Sequence, residues 1–95
     1  MTNKERTMIF SGITLVLTTM LDKEGVPYNL RKLYDGYQLT FPWTGGDVVC
    51  HGGSYGSCLG HFESMGFPWD EDGVTELTLD EAFKGILRCY KGEEE

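Results

Sequence analysis

The sequence predicts a two-layer α+β fold with an N-terminal helix, a four-stranded antiparallel sheet and a C-terminal helix. Three observations carry that expectation. Helix-start signals stand near both ends of the chain, at Thr2-Asn3-Lys4-Glu5 and Thr78-Leu79-Asp80-Glu81. Between them Tyr34-Asp35-Gly36-Tyr37 marks a two-residue hairpin turn. A Phe-Pro-Trp octet then returns 26 positions later as a repeated design and not a strict copy: Phe41-Pro42-Trp43-Thr44-Gly45-Gly46-Asp47-Val48 and Phe67-Pro68-Trp69-Asp70-Glu71-Asp72-Gly73-Val74. Each copy contains a proline, which has no N–H for a sheet ladder and so ends a strand.

The first helix rests on the Thr2–Glu5 capping box and on Ile9, Ile13, Val16 and Met20, which recur at i, i+4, i+7 and i+11 beside Phe10, Leu17 and Leu21. Its β-branched residues would also suit a strand, but length and caps favour the helix. Gly25 and Pro27 stop it. In the hairpin, the Asp-Gly turn sets Tyr34 against Tyr37, Lys32 against Leu39 and Leu30 against Phe41. One sheet face then holds Leu30, Tyr34, Tyr37, Leu39 and Phe41, and the other Arg31, Gln38 and Thr40.

Residues 47–51 read as a third strand, followed by a Gly-rich loop, and residues 61–67 as a fourth, stopped by Pro68. Residues 74–77 read as a short extended segment. The last helix carries Leu79, Ala82, Phe83, Ile86, Leu87 and Tyr90 at helical spacing and stops at Gly92. Both helices are apolar along one stripe and are expected to cover the same sheet face. Residues 1–92 form one domain, and Glu93-Glu94-Glu95 is a solvated acidic tail.

The formal charge of −7 is unevenly placed. Residues 1–45 carry five basic and four acidic side chains, whereas residues 46–95 carry three basic and eleven acidic, +1 against −8. Such an acidic half disfavours direct nucleic-acid binding and contact with anionic lipid, and suits a basic protein surface. The plainer reading is that the acidity only confers solubility. Three cysteines, Cys50, Cys58 and Cys89, cannot all pair within one chain, and reducing cytoplasm is the expected compartment. Residues 8–21 are the most apolar stretch, too short and too polar to span a membrane.

Candidate chemistry gathers around Cys50, His51, Cys58 and His61. Thiolate and imidazole are the ligands that tetrahedral zinc prefers, and pairing of strands three and four would set Cys50 opposite His61 with Cys58 nearby. The spacing lacks a Cys-x2-Cys knuckle, so the competing reading has buried cysteines and polar strand histidines. A cysteine nucleophile with a histidine base lacks a third, orienting group. The loop Gly52-Gly53-Ser54-Tyr55-Gly56 lacks the Gly-Lys-Ser/Thr of a phosphate cradle, and Asp70, Glu71, Asp72 and Glu76 lack the ligand order of a calcium loop. Trp43 and Trp69 either close the core or form a partner-facing pair beside the acidic turn.

The segments Phe-Pro-Trp-Thr-Gly-Gly-Asp-Val, Gly-Ser-Tyr-Gly and Glu-Ser-Met-Gly-Phe-Pro-Trp-Asp resemble small uncharacterised accessory proteins of phages and mobile elements of Gram-positive bacteria, over roughly residues 24–80. The resemblance implies a protein that acts by binding a host or defence protein, in some cases as an inhibitor with an acidic surface. Two functions are therefore expected. The first is a non-enzymatic binding protein whose contact patch is Trp43, Trp69, Asp70, Glu71, Asp72, Glu76 and Asp80 and whose partner is basic. The alternative is a zinc-binding module built on Cys50, Cys58 and His61. Self-association through an exposed edge strand is a further expectation.

Overall fold

The computed structural model describes residues 3–33, 36–51, 61–70, 73 and 75–92. Helix α1 (Asn3–Lys23) is followed by strands β1 (Asn29–Leu33), β2 (Gly36–Thr40), β3 (Asp47–His51), β4 (His61–Met65) and β5 (Thr75–Thr78), and helix α2 (Leu79–Lys91) completes the order. The strands form one antiparallel sheet in chain order, β1-β2-β3-β4-β5. The sheet thus has five strands rather than four. The extended segment expected at 74–77 is the fifth, with Phe62 opposite Leu77 and His61 opposite Thr78. Its single apolar position, Leu77, is the one that faces the core, so its alternation was too short to announce a full strand.

α2 forms as the sequence predicts. Thr78 accepts a hydrogen bond from the Glu81 N–H, and Glu81 accepts one from the Thr78 N–H, closing the capping box. Gly92 ends the helix in the left-handed conformation, φ 76°. α1 ends in a Schellman motif: the Val26 N–H donates to the Leu21 carbonyl and the Gly25 N–H to that of Asp22. Gly25 supplies the positive φ this requires, 71°. The capping box expected at the start of α1 involves Thr2, which lies outside the described residues.

The buried stripe of α1 matches the expected one in part: Leu17 and Leu21 are buried, and Ile13 packs half-buried against the core. None of Ile13, Val16 and Met20 is buried; the core side consists of Thr14, Leu17, Thr18 and Leu21. Because apolar residues surround this helix on all sides, periodicity alone could not select the face. Thr18 is accommodated by donating its hydroxyl to the Leu15 carbonyl at 3.0 Å.

The hairpin pairing also slides by two residues. Leu30 stands opposite Leu39 and Lys32 opposite Tyr37, with Leu33 opposite Gly36. Gly36 therefore belongs to β2, and Tyr34 and Asp35 are outside the described residues. A slide of two keeps every side chain on its face, so Leu39 still enters the core. β4 ends at Met65, and Gly66, at φ 88°, turns the chain ahead of Pro68.

Leu39, Val48, Cys50, Phe62 and Leu77 line the sheet face that both helices cover, and they pack with Leu17, Leu21, Ala82 and Ile86 into one core. β1 extends beyond this cover, which leaves Leu30 53% exposed. The two-layer arrangement, with helices on one side only, follows from one apolar face per strand.

Candidate functional site

β2 and β4 are both antiparallel to β3, so the two Phe-Pro-Trp copies leave the sheet at the same end. There the copies interlock. Phe41 meets Phe67 edge-on at 5.8 Å, Phe41 meets Trp43 at 5.3 Å, and Phe67 stacks on Trp69 at 4.5 Å with ring planes 4° apart. Trp43 continues the series to Tyr90 of α2 at 5.1 Å. Such contacts stabilise beyond their buried area by about 0.5–1.5 kcal/mol each. Gly46 is required at this junction, because a Cβ there would lie 2.7 Å from the Phe67 ring.

Both indole N–H groups are satisfied within the chain. Trp43 donates to the Pro27 carbonyl at 2.9 Å, which ties the chain following α1 to the end of β2. Trp69 donates to Ser64 Oγ at 3.0 Å, and Ser64 in turn donates to the Asp70 carboxylate at 3.0–3.1 Å. The Phe67 N–H reaches the same carboxylate at 3.3 Å. Asp70 is only 8% exposed, so its charge is turned inward to hold the second copy's turn.

Among the described residues, those expected to form one acidic contact patch are therefore dispersed. Asp70 is buried, and Glu76 pairs across the ladder with Glu63 on the face away from the helices. Asp80 lies exposed in the first turn of α2, paired with Lys84 at 3.1 Å. Trp43 and Trp69 are both half-buried, and Glu71 and Asp72 are outside the described residues.

Of those residues, Trp69 and Asp80 do share a site. An open groove of about 510 Å³ runs between β5 and α2, lined by Trp69, Leu77, Asp80, Glu81, Lys84, Gly85 and Arg88. Gly85 gives Trp69 its place: a Cβ at this position would come 2.9 Å from the indole ring. A glycine in a helix interior costs about 1 kcal/mol relative to alanine, and here it admits a large ring against the backbone. That glycine, inside an otherwise well-formed helical pattern, is the sequence signal that points to the groove. The apolar floor is Trp69 and Leu77, with the acids Asp80 and Glu81 at the start of α2 and the bases Lys84 and Arg88 farther along it.

The Cys/His candidates are separated by the sheet itself. Val48 stands opposite Ser64 and Val49 opposite Glu63, so alternation puts Cys50 on the helix-covered face with Phe62 and His61 on the other. The expectation that Cys50 faces His61 is corrected by one residue of register. Burial pushes the Cys50 thiol up to about 12, so it remains protonated at neutral pH, the opposite of an activated nucleophile. Among the described residues no group of three His, Cys, Asp or Glu side chains is placed to hold a metal ion. Cys58 and the Gly-rich loop lie outside the described residues.

Among the described residues no helix is long and apolar enough to cross a membrane. No protein-family model, curated protein or solved structure gives a significant match to this chain.

Proposed function

We propose that the protein is a non-enzymatic binding module that holds a basic, extended segment of a partner protein in the groove between β5 and α2. The supporting observation is the groove itself, apolar on its floor and charged along its helix rim, beside the last strand of the sheet. An extended segment laid along an edge strand gains main-chain hydrogen bonds, and side-chain pockets supply selectivity. Trp69 and Leu77 offer the pocket; Asp80 and Glu81 offer the charge to a lysine or arginine. The resemblance of the repeated octet to mobile-element accessory proteins adds that the partner is a host or defence protein with a basic surface, and inhibition is the consequence of occupying that surface.

The test is capture of a partner from host lysate, followed by binding measured with the purified pair. Affinity is expected to fall about ten-fold or more with Asp80→Lys and to weaken in high salt. Amide shifts on titration are expected in β5, in the first two turns of α2 and at the Trp69 indole. A partner that binds Asp80→Lys as tightly as wild type, or that shifts resonances only on the opposite sheet face, would falsify the groove as the site.

A further inference from the structure

The two outer strands of the sheet carry opposite charge. One row of paired residues crosses the sheet through Arg31, Gln38, Val49, Glu63 and Glu76, so it ends in a cation on β1 and in a carboxylate on β5. On the helix-covered face the adjoining row ends in Leu30 on β1 and Thr75 on β5. Lys32 and Leu77 stand two residues farther along the same face. Asn29, Leu30, Arg31 and Lys32 are all exposed, because β1 lies beyond the helices. β1 is therefore itself an extended, basic and partly aliphatic segment, the chemistry that the groove beside β5 fits.

Laying β1 of one copy parallel to β5 of another continues each row and keeps the helices of both copies on one side. Arg31 then stands beside Glu76, Leu30 beside Thr75 and Lys32 beside Leu77. The direction also suits the groove. Ser64 pairs with Thr75 and binds the Trp69 indole, which abuts Gly85, so the middle of α2 lies over the start of β5. α2 begins directly after Thr78, which puts Asp80 and Glu81 at the end of β5. A parallel β1 thus carries Leu30 to the Trp69 end and Lys32 toward the two acids. Space is available as well, since α1 packs over β2 and β3 and α2 over β4 and β5. At the usual strand spacing, α2 and the next copy's α1 would lie about 14 Å apart, wider than the 8–10 Å of packed helices. Charges on an edge strand ordinarily keep sheets apart, because an edge meets its own kind. Here the deterrent applies to like edges only: two β1 strands would bring together Arg31 and Lys32 of both copies, and two β5 strands Glu76 and Asp80 of both. The net charge of −7 opposes association at long range, so the joint is expected to be weak.

We infer that the chain assembles head to tail, β1 of one copy seating beside β5 in the groove of the next. Such assembly rests on the groove's binding of basic, extended segments, as proposed above, and a second copy then competes with any other partner for it. Each added copy leaves one β1 and one β5 edge open, so growth does not stop at a dimer. Sedimentation velocity of the full chain, from about 1 to about 500 μM, is expected to show dimers and larger species that rise with concentration. Arg31→Glu with Lys32→Glu, at exposed positions, is expected to be monomeric with an unchanged circular dichroism spectrum. Glu76→Lys with Asp80→Lys is expected to behave likewise. Equimolar mixing of these two double variants is expected to restore assembly, because each reversed edge then meets the opposite charge. A wild-type chain that stays monomeric, association that ends at a dimer, or a mixture that stays monomeric overturns the proposal. A synthetic peptide of residues 28–33, added to the isotope-labelled Arg31→Glu, Lys32→Glu chain, separates this inference from the groove reading. Amide shifts in β5 and at the Trp69 indole without assembly of the wild-type chain overturn self-pairing and leave the groove standing. Neither shifts nor assembly removes both.

Discussion

The two helices cover the same sheet face by different means. α2 is amphipathic, capped at both ends, and buries Ala82 and Ile86 while Asp80, Glu81, Lys84 and Arg88 face water. α1 is longer and apolar on both sides: it buries Leu17 and Leu21 inward and exposes Met8, Leu15 and Val16 outward. A helix with one apolar stripe declares its own orientation. A helix apolar on both sides takes its orientation from the sheet it meets, and its remaining apolar side stays exposed.

The largest test of this contrast compares leucine and isoleucine positions on the two helices. Ile86→Ala in α2 removes a fully buried side chain and is expected to cost about 2–5 kcal/mol in urea unfolding. Leu15→Ala in α1 is expected to change the stability of the dilute monomer by no more than about 0.5 kcal/mol, because the side chain is already in water. An equal loss at both positions would mean that the outward side of α1 is packed.

The helix glycines sharpen the comparison, since the same residue type serves opposite ends. Gly85→Val drives branched bulk into the Trp69 ring and is expected to cost about 1–3 kcal/mol, with a change in tryptophan emission. Gly12→Ala meets open space and is expected to stabilise the monomer by up to about 1 kcal/mol through helix propensity. If both substitutions destabilise, Gly12 is not in open space.

Smaller effects follow at the cap and at the buried thiol. Thr78→Ala removes the acceptor for the Glu81 N–H and is expected to cost about 1 kcal/mol, read by chemical denaturation. The Cys50 thiol is held up to about 12 by burial, whereas in the unfolded chain it ionises near 9. The unfolded state then loses its proton first, so this thiol's contribution is complete below about pH 9 and declines as pH rises toward 12. Denaturation midpoints measured across that window are expected to fall less steeply for Cys50→Ala than for wild type.

Local signals were legible wherever one residue's chemistry is decisive. The Thr78–Glu81 box, the stops at Gly25 and Gly92 and the end of β2 ahead of Pro42 all follow from capping, positive φ or a missing N–H. The candidate site was only partly legible. Trp69 and Asp80 belong to the groove, but the inward turn of Asp70 and the placement of Glu76 on the other face depend on strand register. Gly85 marks the groove in the chain, yet it acquires meaning only once Trp69 is seen to lie on it.

By itself the sequence determined the class of fold, the stops at Gly25 and Gly92, the Thr78 cap and the alternation of the hairpin strands, because these depend on neighbours within a few positions. Tertiary structure alone decided which face of α1 is buried, that residues 75–78 complete the sheet, and that Cys50 and His61 lie on opposite faces. The reason is physical: an all-round apolar helix and a four-residue strand carry too little internal pattern to orient themselves. A shift of one residue in pairing reverses the face on which every side chain stands.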